Sequence, residues 1–265
     1  MQSSINQFCE DKKEITVTIC GKTFNFKAMS EKEEAEWNDY KERQRIEENK
    51  RRIERLKISS LMDENFKEKR FENFDLKADN KQYFEIAKYY SDNFESMLVN
   101  NTGLIFYGEP GVGKSYLSFC IANSLLDKGI SVIATTLSIL IKKIKEISSF
   151  GVEDESKFYN TLKTVKLLVI DDLGVDYKNE WVISKIYEVI DARYRSGLPV
   201  IITTNLKPIE LKNELTGKDE VARTFDRIVE MCRPINMRCE PRRLSIARAK
   251  NEEFEKLIKG ISWGA

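Results

Sequence analysis

Two kinds of hydrophobic pattern alternate along most of this chain. Short, nearly unbroken apolar runs occupy 103–107, 131–134, 165–171, 199–204 and, more briefly, 235–237. Runs of that length without polar alternation predict strands buried on both faces, as in a parallel sheet. Between them lie longer stretches with helical spacing. Helices are expected over 114–127, 136–147, 154–165, 179–195 and 221–232. The second carries Leu137, Leu140, Ile141, Ile144 and Ile147 on one face; the fourth is read with Trp181, Ile183, Ile186, Val189 and Ile190 inward. Lys128-Gly129 closes the first of these helices. Strands that alternate with helices predict an α/β core with a parallel five-stranded sheet between helices.

The first eighty residues follow different rules. Ile15–Ile19 and Thr23–Phe26 alternate around Cys20-Gly21-Lys22, which predicts a hairpin over 14–27. From Ser30 to Ile58 the pattern becomes a charged helix: residues 31–57 hold nine acids and nine bases. Ser30 and Glu33 form a capping-box pair at its start. Trp37, Tyr40, Ile46, Ile53 and Leu56 trace only a thin apolar stripe. Such a face suits docking on a partner helix or a solvated spacer better than closing a core. Residues 59–84 bring Phe66, Phe71, Phe74, Tyr83 and Phe84, expected to pack on the core, and a helix is expected from Lys81 to Leu98. The division expected is an N-terminal domain over 1–60, a linker over 61–80, a core domain over 81–250 and a tail over 251–265.

The chemistry begins where the first buried strand ends. Gly108-Glu109-Pro110-Gly111-Val112-Gly113-Lys114-Ser115 matches G-x-x-x-x-G-K-[ST], with a strand before it and a helix, opening at Tyr116, after it. Glycines let consecutive backbone N–H groups curl inward, and the helix N-terminus adds its positive dipole end. Lys114 is positioned for the β- and γ-phosphates of ATP, and Ser115 for Mg²⁺.

A second acidic element is required at the same rim. The run Val165–Ile170 ends in Asp171-Asp172-Leu173-Gly174. Ligands of open α/β sheets sit at the carboxyl ends of the strands, so both carboxylates should emerge beside the glycine loop. Asp171 is read as the Mg²⁺ ligand, and Asp172 as the general base that polarises the attacking water. Thr203-Thr204-Asn205 ends the adjacent strand, and Asn205 is positioned to orient that water or contact the γ-phosphate. Further on, 231–250 holds six Lys or Arg and one acid, Glu240; Arg223 and Arg227 precede it, one helical turn apart.

Composition then narrows the classes. Charged residues make up 33% of the 265, the net charge is +1 and the mean hydropathy is −0.46. Basic surface must therefore be local rather than global. No apolar run approaches the roughly 18 residues of a membrane span, and no signal-peptide core is present, so a cytoplasmic protein is expected. The absence of histidine excludes His-based triads. Five cysteines without C-x-x-C spacing fit a reducing compartment. Cys20-Gly21 has half of a zinc-knuckle pattern, but position 17 is Val and Cys9 is the only other nearby thiol, so zinc is not expected.

Taken together these residues resemble the AAA+ ATPases of the DnaC/DnaI helicase-loader type, with phage-encoded members most similar. The likeness covers roughly residues 50–250. It includes Asp226-Arg227-Ile228-Val229-Glu230-Met231-Cys232, similar to the family's arginine-finger segment, and Arg243-Leu244-Ser245-Ile246-Ala247, similar to its sensor-2 region. The resemblance implies Lys114 and Ser115 as Walker A, Asp171 and Asp172 as Walker B, and Asn205 as sensor 1. It also implies Arg227 (or Arg223) as the finger given to a neighbouring subunit, and Arg243 (or Arg242) as sensor 2. Asp172 stands where most AAA+ proteins have Glu, which implies slow hydrolysis, stimulated by assembly or DNA. The family lacks a C-terminal helical lid, and none is expected here.

The implied partners are a hexameric DnaB-type replicative helicase and single-stranded DNA. The N-terminal charged helix would grip the helicase, and ATP at subunit interfaces would join copies into a hexamer or open spiral. Lys142, Lys143 and Lys145 are candidate contacts to the DNA backbone. Two other readings share the core: an IstB-like transposition helper, and an ATP-binding adaptor with negligible turnover. The expected location is the bacterial cytoplasm, or the host cytoplasm for a phage-encoded member.

Overall fold

The structure is a computed structural model that describes residues 14–19, 22–27, 29–149, 151–174, 179–216 and 222–258. The chain divides into two compact units, Met1–Arg52 and Ile53–Ala265.

In the first unit, β1 (Glu14–Ile19) and β2 (Lys22–Lys27) pair antiparallel, with Ile15 opposite Phe26 and Val17 opposite Phe24. The hairpin expected from the alternation is present. Helix α1 (Glu31–Ser59) follows, and its capping box forms as read: the Ser30 N–H donates to Glu33 at 2.8 Å and the Glu33 N–H donates to Ser30 Oγ at 3.3 Å. Cys9 and Cys20, considered above for zinc, lie outside the described residues.

The second unit begins within the last turns of α1. Its elements are α2 (Glu64–Lys67), α3 (Lys81–Asp92), α4 (Phe94–Val99), β3 (Gly103–Gly108), α5 (Lys114–Asp127), β4 (Val132–Thr136) and α6 (Leu137–Ser148). There follow α7 (Val152–Thr164), β5 (Leu167–Asp171), α8 (Glu180–Ser196), β6 (Val200–Thr204), α9 (Pro208–Leu215), α10 (Arg223–Met231), β7 (Cys232–Met237) and α11 (Arg242–Ile258). The five core strands form one parallel sheet in the order β4-β5-β6-β3-β7. The expected five-stranded parallel sheet between helices is therefore the observed fold.

Strand residues alternate strictly between two cores. Leu104, Phe106, Val132, Ala134, Leu167, Val169 and Ile201 face α3, α5 and the aromatics of 62–74. Ile105, Ile133, Leu168, Ile170, Val200 and Ile202 face α6 to α10. Burial on both faces is why the strands read as apolar runs. The sheet edge at β4 is covered in part by Ser60, whose carbonyl accepts the Ala134 N–H at 2.9 Å.

Several boundaries differ from the sequence reading. The helix expected over 81–98 breaks at Asn93, whose side-chain amide donates to the Tyr89 carbonyl at 2.9 Å and competes with the helical ladder. Trp181 is exposed and Val182 takes the inward place, because Val182 shares the helical face of Ile186, Val189 and Ile190 that packs into the core. Strand β7 starts at Cys232 rather than Ile235; Pro234 is tolerated because β7 is an edge strand.

Arg193 is the largest fully buried side chain. Its guanidinium donates to the carbonyls of Leu162 (2.9 Å), Val165 (2.6 Å), Lys166 (3.3 Å) and Pro199 (2.6 Å). It thereby ties the end of α7 to the entries of β5 and β6, the two strands that carry the polar rim. Burial pushes its pKa down to about 10, which leaves it charged at neutral pH.

Candidate nucleotide-binding site

Strand β3 ends at Gly108, where the chain must turn tightly past β7. Gly108 has φ +141°, and a Cβ there would lie 2.4 Å from the Met237 carbonyl oxygen. Gly111 and Gly113 are also left-handed, at φ 89° and 100°, and Gly113 is the N-cap of α5. The loop so formed wraps the amine of Lys114, which is 4% exposed. That amine donates to the carbonyls of Gly108 (2.8 Å) and Glu109 (2.8 Å) and to Asn205 Oδ1 (2.7 Å). Loop, lysine and the amide at the end of β6 thus meet, as the sequence reading required.

The carboxylates come from the neighbouring strands. Asp171 ends β5 and is 1% exposed. It accepts a hydrogen bond from the Thr203 hydroxyl. Burial pushes its pKa up; the hydroxyls of Thr203 and Ser115 and the charge of Lys114 oppose the shift, while Asp172 adds to it. Asp172 adopts a left-handed φ of 55°, unusual for a residue with a side chain. Its N–H donates to Thr203 Oγ1 at 3.0 Å, and the next N–H, of Leu173, donates to the Thr203 carbonyl at 2.8 Å. One threonine of β6 therefore holds both acids of β5.

A cavity of about 470 Å³ opens over this rim. Pro110, Gly111, Gly113, Lys114, Ser115, Tyr116, Asp172, Asn205 and Arg242 line it, joined by Asn65, Phe66 and Lys69. Gly108, Glu109 and Val112 face a second cleft on the other side of the loop. Tyr116 is pinned by its hydroxyl on the Asn73 carbonyl at 2.9 Å, with Phe74 edge-on to its ring.

Of the two candidate sensor-2 arginines, Arg242 lines the cavity. Its N–H donates to the Gly111 carbonyl at 3.0 Å, and its guanidinium lies 4.6 Å from the Phe74 ring centroid and 3.3 Å from Asp75. The side chain of Arg243 lies outside the described residues. Arg227 does not line this cavity. It packs from α10 onto α8, where it pairs with Asp191, and Arg223 is exposed one turn earlier. The sequence reading missed Thr203, Phe74 and Lys69. Thr203 was present in the Thr-Thr-Asn motif, on the strand read as adjacent to the carboxylate strand, but the spacing does not show that its hydroxyl meets Asp171.

The donor set suits a hard cation. Ser115 offers a hydroxyl from the first turn of α5 and Asp171 a carboxylate oxygen from the end of β5. Mg²⁺ binds through one or two such groups together with substrate phosphates, without an all-protein cage. Among the described residues, no group of three or more His, Cys, Asp or Glu could hold a metal by itself. No helix among them is long and apolar enough to cross a membrane.

Comparison with known proteins agrees with this geometry. The family model described as IstB-like ATP binding protein matches residues 24–250. The replicative helicase loader DnaI of Bacillus subtilis (strain 168) is 32% identical over 149 residues, covering 53% of this chain and 47% of that protein. The replicative helicase loader DnaC of Escherichia coli (strain K12) is 30% identical over 159 residues, 60% of this chain and 62% of that protein. The chain therefore spans about half to three fifths of the length of these curated relatives. A solved structure described as the crystal structure of the DnaI superposes with a TM-score of 0.55 at 24% identity. It covers 68% of this chain and 94% of that one, a likeness of fold. The resemblance to DnaC/DnaI-type AAA+ proteins read from the motifs is borne out.

Proposed function

The chain belongs to the IstB-like ATP binding protein family, a group with the P-loop fold of AAA+ ATPases, and from that premise we propose that it is an ATP-dependent replicative helicase loader. The observation that carries this reading is the Lys114 amine, buried in a glycine cradle and reaching the strand-end amide of Asn205. An ammonium held on three acceptors, two of them main-chain carbonyls, is preset to exchange them for phosphate oxygens.

In this reading the N–H groups of Gly111 to Ser115 receive the phosphates at the start of α5. Mg²⁺, held by Ser115 and Asp171, would offset phosphate charge when bound. Asp172, fixed by Thr203, takes the proton from the attacking water, and Asn205 orients that water. The left-handed turn at Asp172 aims its shorter side chain into the cavity, where it stands in for the more usual glutamate. Arg242 contacts nucleotide from the start of α11. Arg227 serves a neighbouring subunit, stabilising charge on the transferring phosphoryl group. ATP so bound joins one copy to the next in a hexamer or open spiral, and the inner face tracks single-stranded DNA through phosphate contacts.

The N-terminal unit supplies the grip on a DnaB-type hexameric helicase. Trp37 and Tyr40 stack at 5.6 Å on α1 with Lys41 over the indole, an exposed aromatic anchor on a charged helix. The likeness to replicative helicase loaders supports a helicase as the partner. The match to the IstB-like family keeps a second reading, a transposition helper that recruits a transposase to duplex DNA. A pull-down of the full chain against a cognate replicative helicase and against a transposase, each with Mg-ATP, separates the two. Capture of the helicase alone is the expected result; capture of the transposase alone overturns the loader assignment.

A further inference from the structure

The candidate finger residue is not waiting in solvent. Arg227 has only 21% of its side chain exposed, and Asp191, its partner on α8, 19%. The ion pair runs from Arg227 Nη1 to Asp191 Oδ1 at 2.5 Å. The flat guanidinium also lies 4.8 Å from the Tyr187 ring centroid and 5.4 Å from that of Tyr194. Tyr194 is itself fixed, its hydroxyl donating to both Glu230 oxygens at 3.0 Å. A second arginine completes the group: Arg195 Nε lies 2.8 Å from the other oxygen, Asp191 Oδ2. Tyr187, Asp191 and Tyr194 or Arg195 recur at helical spacing, so one face of α8 builds the whole receptacle.

We propose that Asp191 is the positioning residue of Arg227: it holds the guanidinium in the single subunit and yields it to the triphosphate of a second copy. This inference rests on the trans role proposed for Arg227 above. A guanidinium donates to carboxylate or phosphate oxygens through the same planar fork, so the two compete for one group. The tyrosine faces favour the cation in either pairing and keep its path short. Arg195 makes the exchange cheap. When Arg227 leaves, Asp191 keeps one cationic partner and is not stranded as a half-buried lone carboxylate. Self-association is then opposed in each subunit by the contact that shapes the finger, so nucleotide on one copy and release on the next are coupled.

The test is sedimentation velocity of the full chain with Mg²⁺ and a non-hydrolysable ATP analogue over a protein concentration series. Asp191→Asn keeps the shape and removes the charge; the concentration at half-association should fall at least threefold. In an Arg227→Ala background the same substitution should have no effect on that concentration. Arg195→Ala should raise it, because release then strands Asp191; an exposed arginine with a purely structural role would leave it unmoved. An unchanged or higher midpoint for Asp191→Asn, with a thermal midpoint near that of the parent chain, overturns the proposal. Should Asp191→Asn fail to fold, Arg195→Ala decides by the same criterion. Wild-type chain that never associates with nucleotide, or Arg227→Ala with full association and turnover, overturns the parent reading and this one with it. Association that depends on Arg227 but ignores Asp191 and Arg195 overturns this one alone.

Discussion

Helix α1 and the sheet-based unit that follows it are built on opposite terms. Up to Arg52, α1 shows Trp37, Tyr40 and Ile46 at 46%, 52% and 47% exposure, and none of its residues is buried. It is held by its capping box and by turn-spaced pairs such as Arg51 with Glu47. Those contribute only a few tenths of a kcal/mol each, roughly. In the second unit, Phe106, Phe119, Leu125, Ile190 and Ile202 are fully buried, and even polar groups such as Arg193 and Thr203 are shut in with their partners. The contrast teaches where change can be tolerated. The second unit sets the positions of Lys114 and Asp171 by burial and hydrogen bonds of its own. The first presents exposed aromatic and charged surface, which the proposed function assigns to a partner.

The sharpest way to break that contrast is at the finger. Arg227→Ala should lower ATP turnover of the assembled protein by about 10³-fold, measured as steady-state hydrolysis with single-stranded DNA. Nucleotide affinity of a single subunit should hold, because Arg227 lies outside its own cavity. Next in size is Arg193→Leu. It leaves four carbonyls without their donor and should cost about 3 kcal/mol in denaturant unfolding of the second unit. The helical signal of α1 up to Arg52 should persist through that transition. Replacing Trp37 and Tyr40 by Ala together should weaken helicase binding by about tenfold or more, read by titration calorimetry. The unfolding midpoint of the second unit should stay within error, since no core residue is altered. The smallest effect is Thr203→Val, an isosteric loss of one hydroxyl. It should weaken Mg²⁺-dependent nucleotide binding several-fold, on the order of 1 kcal/mol, while Thr203→Ser retains most of it.

The sequence made the sheet legible because every core strand is buried on both faces and so reads as an apolar run. The glycine loop was legible for a related reason: Gly108 and Gly113 occupy backbone conformations that side chains avoid, which fixes residue type at fixed spacing. What stayed hidden depends on contacts between distant segments. The strand of Thr203 was read as lying beside that of Asp171, but the bond from the Thr203 hydroxyl to the Asp171 carboxylate depends on the register of β5 against β6, which no single stretch encodes. Arg193 reads as an ordinary helix-end arginine until the carbonyls of Leu162 and Pro199 are brought to it. Trp181 was read inward with Ile183, whereas the buried face runs through Val182, Ile186, Val189 and Ile190 and leaves Trp181 exposed. Arg242 and Arg243 could not be ordered by spacing; the backbone bond from Arg242 to Gly111 brings the former to the cavity.

The central claim is that ATP clamped at Lys114 joins copies of this chain on a helicase. Native mass spectrometry of the full chain mixed with its cognate replicative helicase, with and without Mg-ATP, weighs that claim directly. The expected spectrum shows several copies per helicase hexamer with nucleotide, few without it, and no nucleotide-dependent gain for Lys114→Ala. Equal stoichiometry in the presence and absence of ATP, or full loading by Lys114→Ala, would contradict it.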